Sequence, residues 1–269
     1  KIMEKKYNWS KKYDPSSKEP YVLSRSKIDL FLNCKRCFYL DRRLGIKTPS
    51  TLPFTLNIAI DGLLKKEFDI AREKKVHHEY CKESKINAIP YKHPELDAWR
   101  ENFKGIRHHH KSTNFIIAGA MDDIWENQDN KKKHVVDYKV TSTKEFEKFK
   151  YLGMPWHQHY KNQLSIYGWL MKHNEVDVHE IGYFLYFNGK KDVDRFEGKL
   201  VFDYQIIPYE LDMSWIDDTL MKIKDFLETK KIPTYDPKCD NCRYLKENNQ
   251  VVSKLLDKSL SFLKEGSAE

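Results

Sequence analysis

The residues of this chain that could carry chemistry are an aspartate, Asp122, and the triplet Asp137-Tyr138-Lys139 that follows fifteen residues later. Both lie in runs rich in β-branched and aromatic residues, and the segment between them is rich in Asn, Asp and Lys, which predicts a β-hairpin. Because strand side chains alternate between faces, Asp137 and Lys139 project from one face and Tyr138 from the other. A hairpin folded symmetrically about residues 129–130 places Asp122 opposite Asp137, with Cβ atoms about 5 Å apart.

Two carboxylates at that distance repel each other unless they share a proton or hold a cation between them. Carboxylate oxygens suit Mg²⁺ or Mn²⁺, and Lys139 could orient a nucleophilic water or stabilise developing charge on a phosphate. The alternative is an exposed strand face on which Lys139 forms a cross-strand ion pair. The apolar neighbours Val135, Val136 and Val140 favour a buried strand, where ionisable groups tend to be functional. The pattern therefore predicts a divalent-metal site beside a catalytic lysine.

Length and charge limit the class of protein. The chain has 269 residues, of which 40% are hydrophobic and 33% charged, enough for a full-sized core in one large domain or two small ones. A formal net charge of +8 and an isoelectric point of about 9.0 favour a polyanionic partner, most simply nucleic acid. No apolar run approaches the ~18 residues that cross a bilayer, and no secretory signal opens the chain. We therefore expect a cytoplasmic, DNA-binding protein with no membrane partner.

The hydrophobic pattern predicts how the chain positions these residues. Residues 1–20 are lysine-rich and contain Pro15 and Pro20, which indicates a flexible or surface-hugging basic leader. Residues 21–269 are predicted to form a single α/β domain, with a central mixed sheet flanked by helices. Helices are predicted over 24–40, 56–72, 94–103, 162–172, 211–230 and 251–263, and strands over 105–110, 115–125, 134–140, 180–187 and 201–207. The second helix has one apolar stripe, formed by Leu56, Ile60, Leu63, Leu64 and Phe68.

Three motifs follow one another along the chain: G-x-x-D ending at Asp122, D-x-K ending at Lys139, and Q-x-x-x-Y from Gln163 to Tyr167 on a predicted helix. In residue type, order and approximate spacing they resemble the RecB-like branch of the PD-(D/E)XK nuclease superfamily, which includes AddB and CRISPR-associated RecB-like exonucleases. The resemblance extends over about residues 24–244. It implies a restriction-endonuclease-like core that hydrolyses single-stranded or end-bearing DNA. It also implies work in DNA repair or CRISPR spacer acquisition, beside a helicase or CRISPR adaptation proteins.

The resemblance assigns roles to the residues nearest the chemistry. Asp122 and Asp137 would hold Mg²⁺ or Mn²⁺, and the backbone carbonyls of Val136 and Tyr138 are candidates for further ligands. Lys139 would position the attacking water. The protein would then be a metal-dependent deoxyribonuclease.

Two features of the resemblance leave alternatives open. Gln163 and Tyr167 lie four residues apart on one helical face, where they would brace the site or contact DNA, unless they only pack against the core. Family members have a histidine on the second helix where this chain has Asp61, so a carboxylate would replace the imidazole as a metal ligand. Because of this departure, the second hypothesis is a noncatalytic DNA-binding or scaffold subunit that retains the nuclease fold.

Four of the five cysteines form two C-x-x-C pairs, Cys34 with Cys37 and Cys239 with Cys242. Four thiolates complete a tetrahedral zinc site or hold an iron–sulfur cluster, and a shared metal would clamp the N- and C-terminal segments together. A subset of RecB-like nucleases resembles this arrangement and binds a 4Fe–4S cluster through one N-terminal and three C-terminal cysteines. Here Cys37 would substitute for the missing third C-terminal cysteine. The resemblance favours a cluster over zinc or unliganded thiols, and Cys81 is expected to be a packing or surface thiol.

Overall fold

A computed structural model describes residues 11–49 and 52–265 of the protein, with side chains to residue 256. The strands in these ranges are β1 (Tyr21–Ser24), β2 (Ala88–Pro90), β3 (Ile106–His110), β4 (Phe115–Gly119), β5 (Asp123–Asn127), β6 (Lys133–Thr141), β7 (Ile181–Gly189) and β8 (Phe202–Glu210). The α-helices are α1 (Arg25–Asn33), α2 (Lys35–Tyr39), α3 (Thr55–Lys74), α4 (Glu79–Glu83), α5 (Leu96–Arg100), α6 (His157–Lys172), α7 (Ile216–Glu228) and α8 (Asp240–Glu265). A π-helical turn spans Leu40–Leu44 and a 3-10 helix spans Phe146–Tyr151. None of these described helices is long and apolar enough to span a bilayer.

The described strands form two mixed sheets. The larger has the order β2-β5-β6-β7-β8, in which β6 and β7 are parallel and the other neighbours antiparallel. The smaller has the order β1-β4-β3, with β1 parallel to β4 and β3 antiparallel to it. The predicted fold class, a mixed sheet flanked by helices, is confirmed. The second sheet is an addition that the sequence pattern did not predict.

The predicted single strand over 115–125 is wrong, because the chain changes sheets within it. Its first half is β4 of the small sheet and its second half is β5 of the large sheet. Both halves have strand composition, so only the small residues Gly119 and Ala120 mark the break. The change of sheet leaves Asp122 between the two strands, at the junction of the sheets.

The predicted hairpin register is confirmed for β5 and β6. Asp123 pairs with Val136 and Glu126 pairs with Lys133, which is the register of a hairpin symmetric about residues 129–130. The next position in that register sets Asp122 beside Asp137. The turn and the face alternation are local properties, so they could be predicted without knowledge of the rest of the fold.

Helix α3 forms where it is expected, but its buried face differs from the predicted stripe. Leu64 and Phe68 are buried, and the Phe68 ring stacks on Trp125 of β5 with centroids 5.3 Å apart. Leu56 and Leu63 are 58% and 62% exposed. Amphipathic spacing at the first turns of this helix therefore does not correspond to burial, because the helix meets the large sheet mainly through its second half.

Helix α6 joins the two sheets. It contacts β3 and β4 of the small sheet and β6 of the large one, and most of its residues from 162 to 171 are buried. Leu164, Ile166 and Leu170 are fully buried in the main core. Because α6 also carries Gln163 and Tyr167, its packing holds these two side chains at the junction where Asp122 lies.

The predicted leader lies only partly within the described residues. Residues 1–10 are outside them. In the part that is described, Tyr13 is 5% exposed and its ring packs edge-on against Tyr21 and Phe115, at centroid distances of 5.2 and 6.2 Å. Tyr13 therefore belongs to the main core, and the division of the chain into a leader and one domain stays a prediction.

Candidate active site and cysteine centre

The structure brings the predicted carboxylates and the lysine together at the junction of the sheets. Asp122 Oδ2 accepts a hydrogen bond of 2.9 Å from the backbone N–H of Tyr138, so the strand β6 itself orients this carboxylate. Asp137 projects from the same strand and is fully buried. Lys139 Nζ forms an ion pair with Asp137 Oδ2, as expected for two residues on one face of a strand.

The Asp137 carboxylate is incompletely satisfied. Neither of its oxygens has a hydrogen-bond partner among the described residues, and the Lys139 ammonium forms an ion pair with Oδ2. The pKa of Asp137 is raised to about 6, because burial, which raises it most, and the Asp122 carboxylate together outweigh the opposing effect of Lys139. A cation between Asp122 and Asp137 would offset the burial and the repulsion together. The donor set of this site therefore fits a divalent metal ion.

Lys139 is held as a cation by its neighbours. Burial lowers the pKa of its ammonium group, but the attraction of Asp137 and Asp122 outweighs burial and leaves the pKa above its ordinary value. Its Nζ also lies 4.7 Å from the centre of the Tyr160 ring, a favourable cation–π distance. At neutral pH this side chain can donate hydrogen bonds and stabilise negative charge, but it cannot act as a base.

A chain of hydrogen bonds runs from Lys139 into α6. Lys139 Nζ donates to Gln163 Oε1 at 3.3 Å, Gln163 Nε2 donates to the Tyr167 hydroxyl at 3.2 Å, and that hydroxyl donates to the Ala120 carbonyl at 2.5 Å. A Cβ on Gly119 would lie 2.6 Å from Cε1 of Tyr167, so the glycine of the G-x-x-D motif makes room for the tyrosine ring. The Q-x-x-x-Y residues thus lie at the site and support Lys139, while contact with DNA stays a prediction.

Asp61 lies beside the site on α3, and a lysine that sequence reasoning missed lies between it and Asp122. Lys65 Nζ donates to Asp61 Oδ2 at 2.7 Å and lies 3.5 Å from Asp122 Oδ1. Burial raises the pKa of Asp61, and the nearby Asp122 carboxylate raises it further. The i,i+4 spacing of Asp61 and Lys65 was the available signal. Asp61 therefore lies near Asp122, with Lys65 between the two carboxylates, but among the described residues these three aspartates do not form a group as compact as the cysteines.

The predicted ligand Tyr138 contributes its backbone rather than its side chain to the site. Its side chain points to the opposite face of β6 and donates to Asp123 Oδ2 at 2.7 Å. Its N–H points to Asp122. In an extended strand the N–H and C=O of one residue face the same neighbour, so the Tyr138 carbonyl faces the side on which Asp122 lies. That orientation is compatible with a main-chain metal ligand.

Behind the site lies a buried charge network that sequence reasoning also missed. Asp123 is fully buried and its Oδ1 accepts from Arg72 Nη2 at 2.5 Å and from Arg100 Nη2 at 3.0 Å. Arg100 Nε also donates to the backbone carbonyl of Asp122 at 2.9 Å. Together with the Tyr138 hydroxyl, these bonds hold the main chain on both sides of Asp122. The network therefore fixes the position of the backbone from which the Asp122 carboxylate projects.

The four C-x-x-C cysteines meet on one side of the fold. Their sulfurs all lie within 4.8 Å of one another, and the distances are 3.5 Å for Cys34 to Cys242, 3.6 Å for Cys37 to Cys239 and 3.9 Å for Cys37 to Cys242. Three of the four are buried, and Cys239 is partly exposed. The predicted clamp between N- and C-terminal segments is therefore present as four adjacent thiols. Cys81 is buried elsewhere, against the face of the large sheet.

The local backbone is adapted to this cluster. The predicted helix over 24–40 is interrupted at Cys34, whose φ of −153° and ψ of 105° are extended, so α1 ends and α2 begins there. Cys34 Sγ then accepts from the Cys37 backbone N–H at 3.4 Å. Burial raises the pKa of the Cys34 thiol to about 11 and also raises that of Cys37. A metal would hold these sulfurs as thiolates, so the donor set fits one.

Comparison with protein families gives one match, which covers most of the chain. Residues 59–246 match the family described as the PD-(D/E)XK nuclease superfamily, a range that includes the three acidic residues and Lys139. Among solved structures, one titled "Crystal structure of SSO0001" has 18% sequence identity, with 81% of each chain covered and a TM-score of 0.38. No curated protein matches the chain.

Proposed function

Because this chain belongs to the PD-(D/E)XK nuclease superfamily, we propose that it is a Mg²⁺- or Mn²⁺-dependent deoxyribonuclease of the RecB-like branch. It would hydrolyse phosphodiester bonds of single-stranded or end-bearing DNA. The observation that carries the proposal is the Asp137 carboxylate, which is fully buried, lacks hydrogen bonds among the described residues and lies beside Asp122 and Lys139. A buried carboxylate with one ion pair and no hydrogen bond costs stability, and a metal ion held between Asp122 and Asp137 would offset that cost.

Each residue of the site has a role in that reaction. Asp122 and Asp137 would hold the ion, with the Tyr138 carbonyl and Asp61 as further ligands. A bound divalent ion supplies Lewis-acid stabilisation of charge on the phosphate. Lys139, cationic at neutral pH, would orient the attacking water and stabilise the transition state by donating hydrogen bonds.

Helix α6 supports this lysine. Gln163 accepts a hydrogen bond from Nζ of Lys139, and Tyr167 fixes Gln163 in turn. Both also face a cavity beside the site, where DNA could reach them. The net charge of +8 supports a polyanionic substrate.

The biological setting follows from the resemblance of the three motifs alone. A RecB-like nuclease would work with a helicase in DNA repair, or with CRISPR adaptation proteins during spacer acquisition. Both settings imply a cytoplasmic protein. Co-purification of the full chain with a helicase or with adaptation proteins from its own cells would support one of them.

A second function, a noncatalytic DNA-binding or scaffold subunit, is favoured by one observation. The Lys65 ammonium contacts Asp61 Oδ2 and lies 3.5 Å from Asp122 Oδ1, so a protein cation already lies among the candidate metal ligands. A lysine that stays there in solution would compete with the metal. In that case Lys65→Gln would tighten Mn²⁺ binding by calorimetry and create cleavage activity that the wild type lacks.

Cleavage of end-labelled single-stranded DNA with Mn²⁺ tests the nuclease proposal. We expect the wild type to cleave with Mn²⁺ but not with EDTA, and Lys139→Ala to lower the rate by about 10²–10³-fold, the cost of one transition-state donor. Lys172→Ala, an exposed lysine at the end of α6, is the matched control and should be unchanged. If the wild type is as inert as Lys139→Ala while both proteins still bind DNA, the nuclease proposal is wrong and the noncatalytic function is supported.

We further propose that the four cysteines hold a structural metal that ties the two ends of the predicted domain, residues 21–269, together. The sequence resemblance favours a 4Fe–4S cluster. The sulfurs all lie within 4.8 Å of one another, three of the pairs at 3.5–3.9 Å. These separations instead favour one tetrahedral ion, because four Zn–S bonds of about 2.3 Å set the sulfurs about 3.8 Å apart.

Metal analysis and the visible spectrum of the protein as purified distinguish the two centres. A single zinc ion gives a colourless protein with one zinc per chain, whereas a cluster gives a brown protein with four irons. Cys37→Ser should lose most of the metal in either case, and Cys81→Ser, the buried cysteine outside the cluster, should keep it. Metal-free wild type would remove the proposal.

A further inference from the structure

A cavity of about 490 Å³ lies beside the active site, within the size range of small-molecule pockets, roughly 300–1,000 Å³. It is lined by the first turn of α1, the end of β4 and the loop before β3. Gln163 and Tyr167 form the wall that it shares with the active site, since both also belong to the hydrogen-bond chain from Lys139. A group bound in this cavity would therefore lie next to the reacting phosphate.

The lining of the cavity is cationic. No Asp or Glu is among the described residues that line it, and four of them are basic: Arg25, Lys27, Arg42 and Lys47. Two carboxylates behind the wall offset part of that charge, Asp29 through Arg25 and Asp41 through Lys27 and Arg42. Lys47 is exposed at the opening. The cavity therefore has a surplus of positive charge, which suits a phosphate.

The rim of the cavity offers an aromatic surface. Phe103 lines the cavity and is 73% exposed, an unusual exposure for a phenylalanine. Its backbone is in the left-handed region, with a φ of 70°, and forms part of the turn before β3. The neighbouring Gly105 cannot be replaced, since a Cβ there would lie 2.3 Å from the Gly119 carbonyl oxygen. The loop is thus held tightly against β4, with Phe103 at the edge, where a base could stack on its ring.

We propose that this cavity binds one nucleotide of an unpaired DNA strand next to the scissile phosphate. The phosphate of that nucleotide contacts the basic wall at Lys47 and Arg25, and its base stacks on Phe103. The inference rests on the proposed nuclease function and narrows its substrate to single strands. A base held in a duplex would first have to unstack and unpair, which costs a few kcal/mol.

Equilibrium binding without cleavage tests this inference. The probe is a fluorescent ten-nucleotide oligothymidylate, measured by anisotropy in EDTA, with a hairpin duplex of ten base pairs as its paired counterpart. Lys47→Glu and Phe103→Ala should each raise the Kd for the single strand on the order of tenfold, the size of one lost stacking or phosphate contact. Phe103→Trp, which keeps a stacking ring, should bind like the wild type.

The matched control is Lys74→Glu, the same charge reversal at an exposed lysine of α3, thirteen residues or roughly 20 Å along the helix from Asp61. Its Kd should be close to that of the wild type. Binding by Lys47→Glu and Phe103→Ala equal to that of Lys74→Glu would overturn the proposal. So would an equal loss on the single strand and on the duplex, because Lys47 would then supply only general charge. This experiment measures binding only, so it is independent of the cleavage assay. If the wild type fails to cleave DNA in that assay but these binding losses are found, the nuclease function is refuted and the nucleotide site is not.

Discussion

Asp123 and Asp137 lie on paired strands and are both fully buried, but their carboxylates differ in the number of hydrogen bonds that they accept. Asp123 accepts hydrogen bonds from Arg72, Arg100 and Tyr138, together with the Trp125 indole and a backbone N–H. Asp137 accepts none from the described residues and has only the ion pair with Lys139. Burial of a charge therefore does not by itself indicate function.

The difference lies in what completes each carboxylate. The chain supplies every partner that Asp123 needs, so its charge is part of the architecture that holds Asp122. Among the described residues Asp137 has only the ion pair with Lys139, beside a second carboxylate, so a bound cation would complete it. A buried acid that remains unsatisfied identifies a site more reliably than a buried acid alone.

The largest expected effect in this comparison is the loss of stability in Asp123→Ala. Removing this carboxylate leaves Arg72 and Arg100 without their buried partner, which costs about 3–5 kcal/mol. Urea unfolding followed by circular dichroism measures the change. Asp225→Ala, at an exposed position of α7, should change the free energy of unfolding by less than about 0.5 kcal/mol. A loss below about 1 kcal/mol in Asp123→Ala would show that the network is not structural.

Asp137→Asn should act in the opposite direction on stability while it abolishes cleavage. The pKa of Asp137 in the folded state is about 6, above its ordinary value of 3.8, so the proton is bound more tightly in the folded protein. Its contribution to stability is therefore complete below about pH 4 and is lost as the pH rises through about 6. The metal-free variant should match the wild type near pH 4 and exceed it at pH 8 by up to about 3 kcal/mol.

Thermal unfolding in EDTA between pH 4 and pH 8 measures this difference. Added Mn²⁺ should raise the Tm of the wild type at pH 8 and leave that of Asp137→Asn nearly unchanged, because only the wild type keeps both carboxylates. A stability difference between the two proteins that does not vary with pH would mean that Asp137 is not the strained acid described here.

The smallest expected effect belongs to Tyr167→Phe. The variant keeps the ring against Gly119 but removes the hydroxyl that links Gln163 to the Ala120 carbonyl. Loss of this support for Lys139 should lower the cleavage rate about tenfold. A hydrogen bond contributes roughly 1 kcal/mol, and a barrier higher by about that much slows a reaction by about this factor. Tyr151→Phe, at a side chain that is 73% exposed, serves as the control. An unchanged rate in Tyr167→Phe would assign Tyr167 to packing.

Much of the fold and of the site followed from local pattern. The register of β5 and β6 could be predicted because turn composition and strand alternation are properties of neighbouring residues. Most element positions could be predicted for the same reason. The strand over 115–125 could not, since each of its halves has strand composition and only the complete molecule decides which sheet each half joins. The exposed face of α3 likewise depends on where the large sheet ends.

The sequence by itself determined the chemical types of the site: Asp122, Asp137 and Lys139 in a fixed local register, and two C-x-x-C pairs about 200 residues apart. Only the tertiary structure decided that Asp123 is satisfied while Asp137 is not, and that the two cysteine pairs meet. The physical reason is that Asp123 obtains its partners from α3 and α5, and the cysteines obtain theirs from opposite ends of the chain. Such long-range contacts have no signal in the spacing of neighbouring residues.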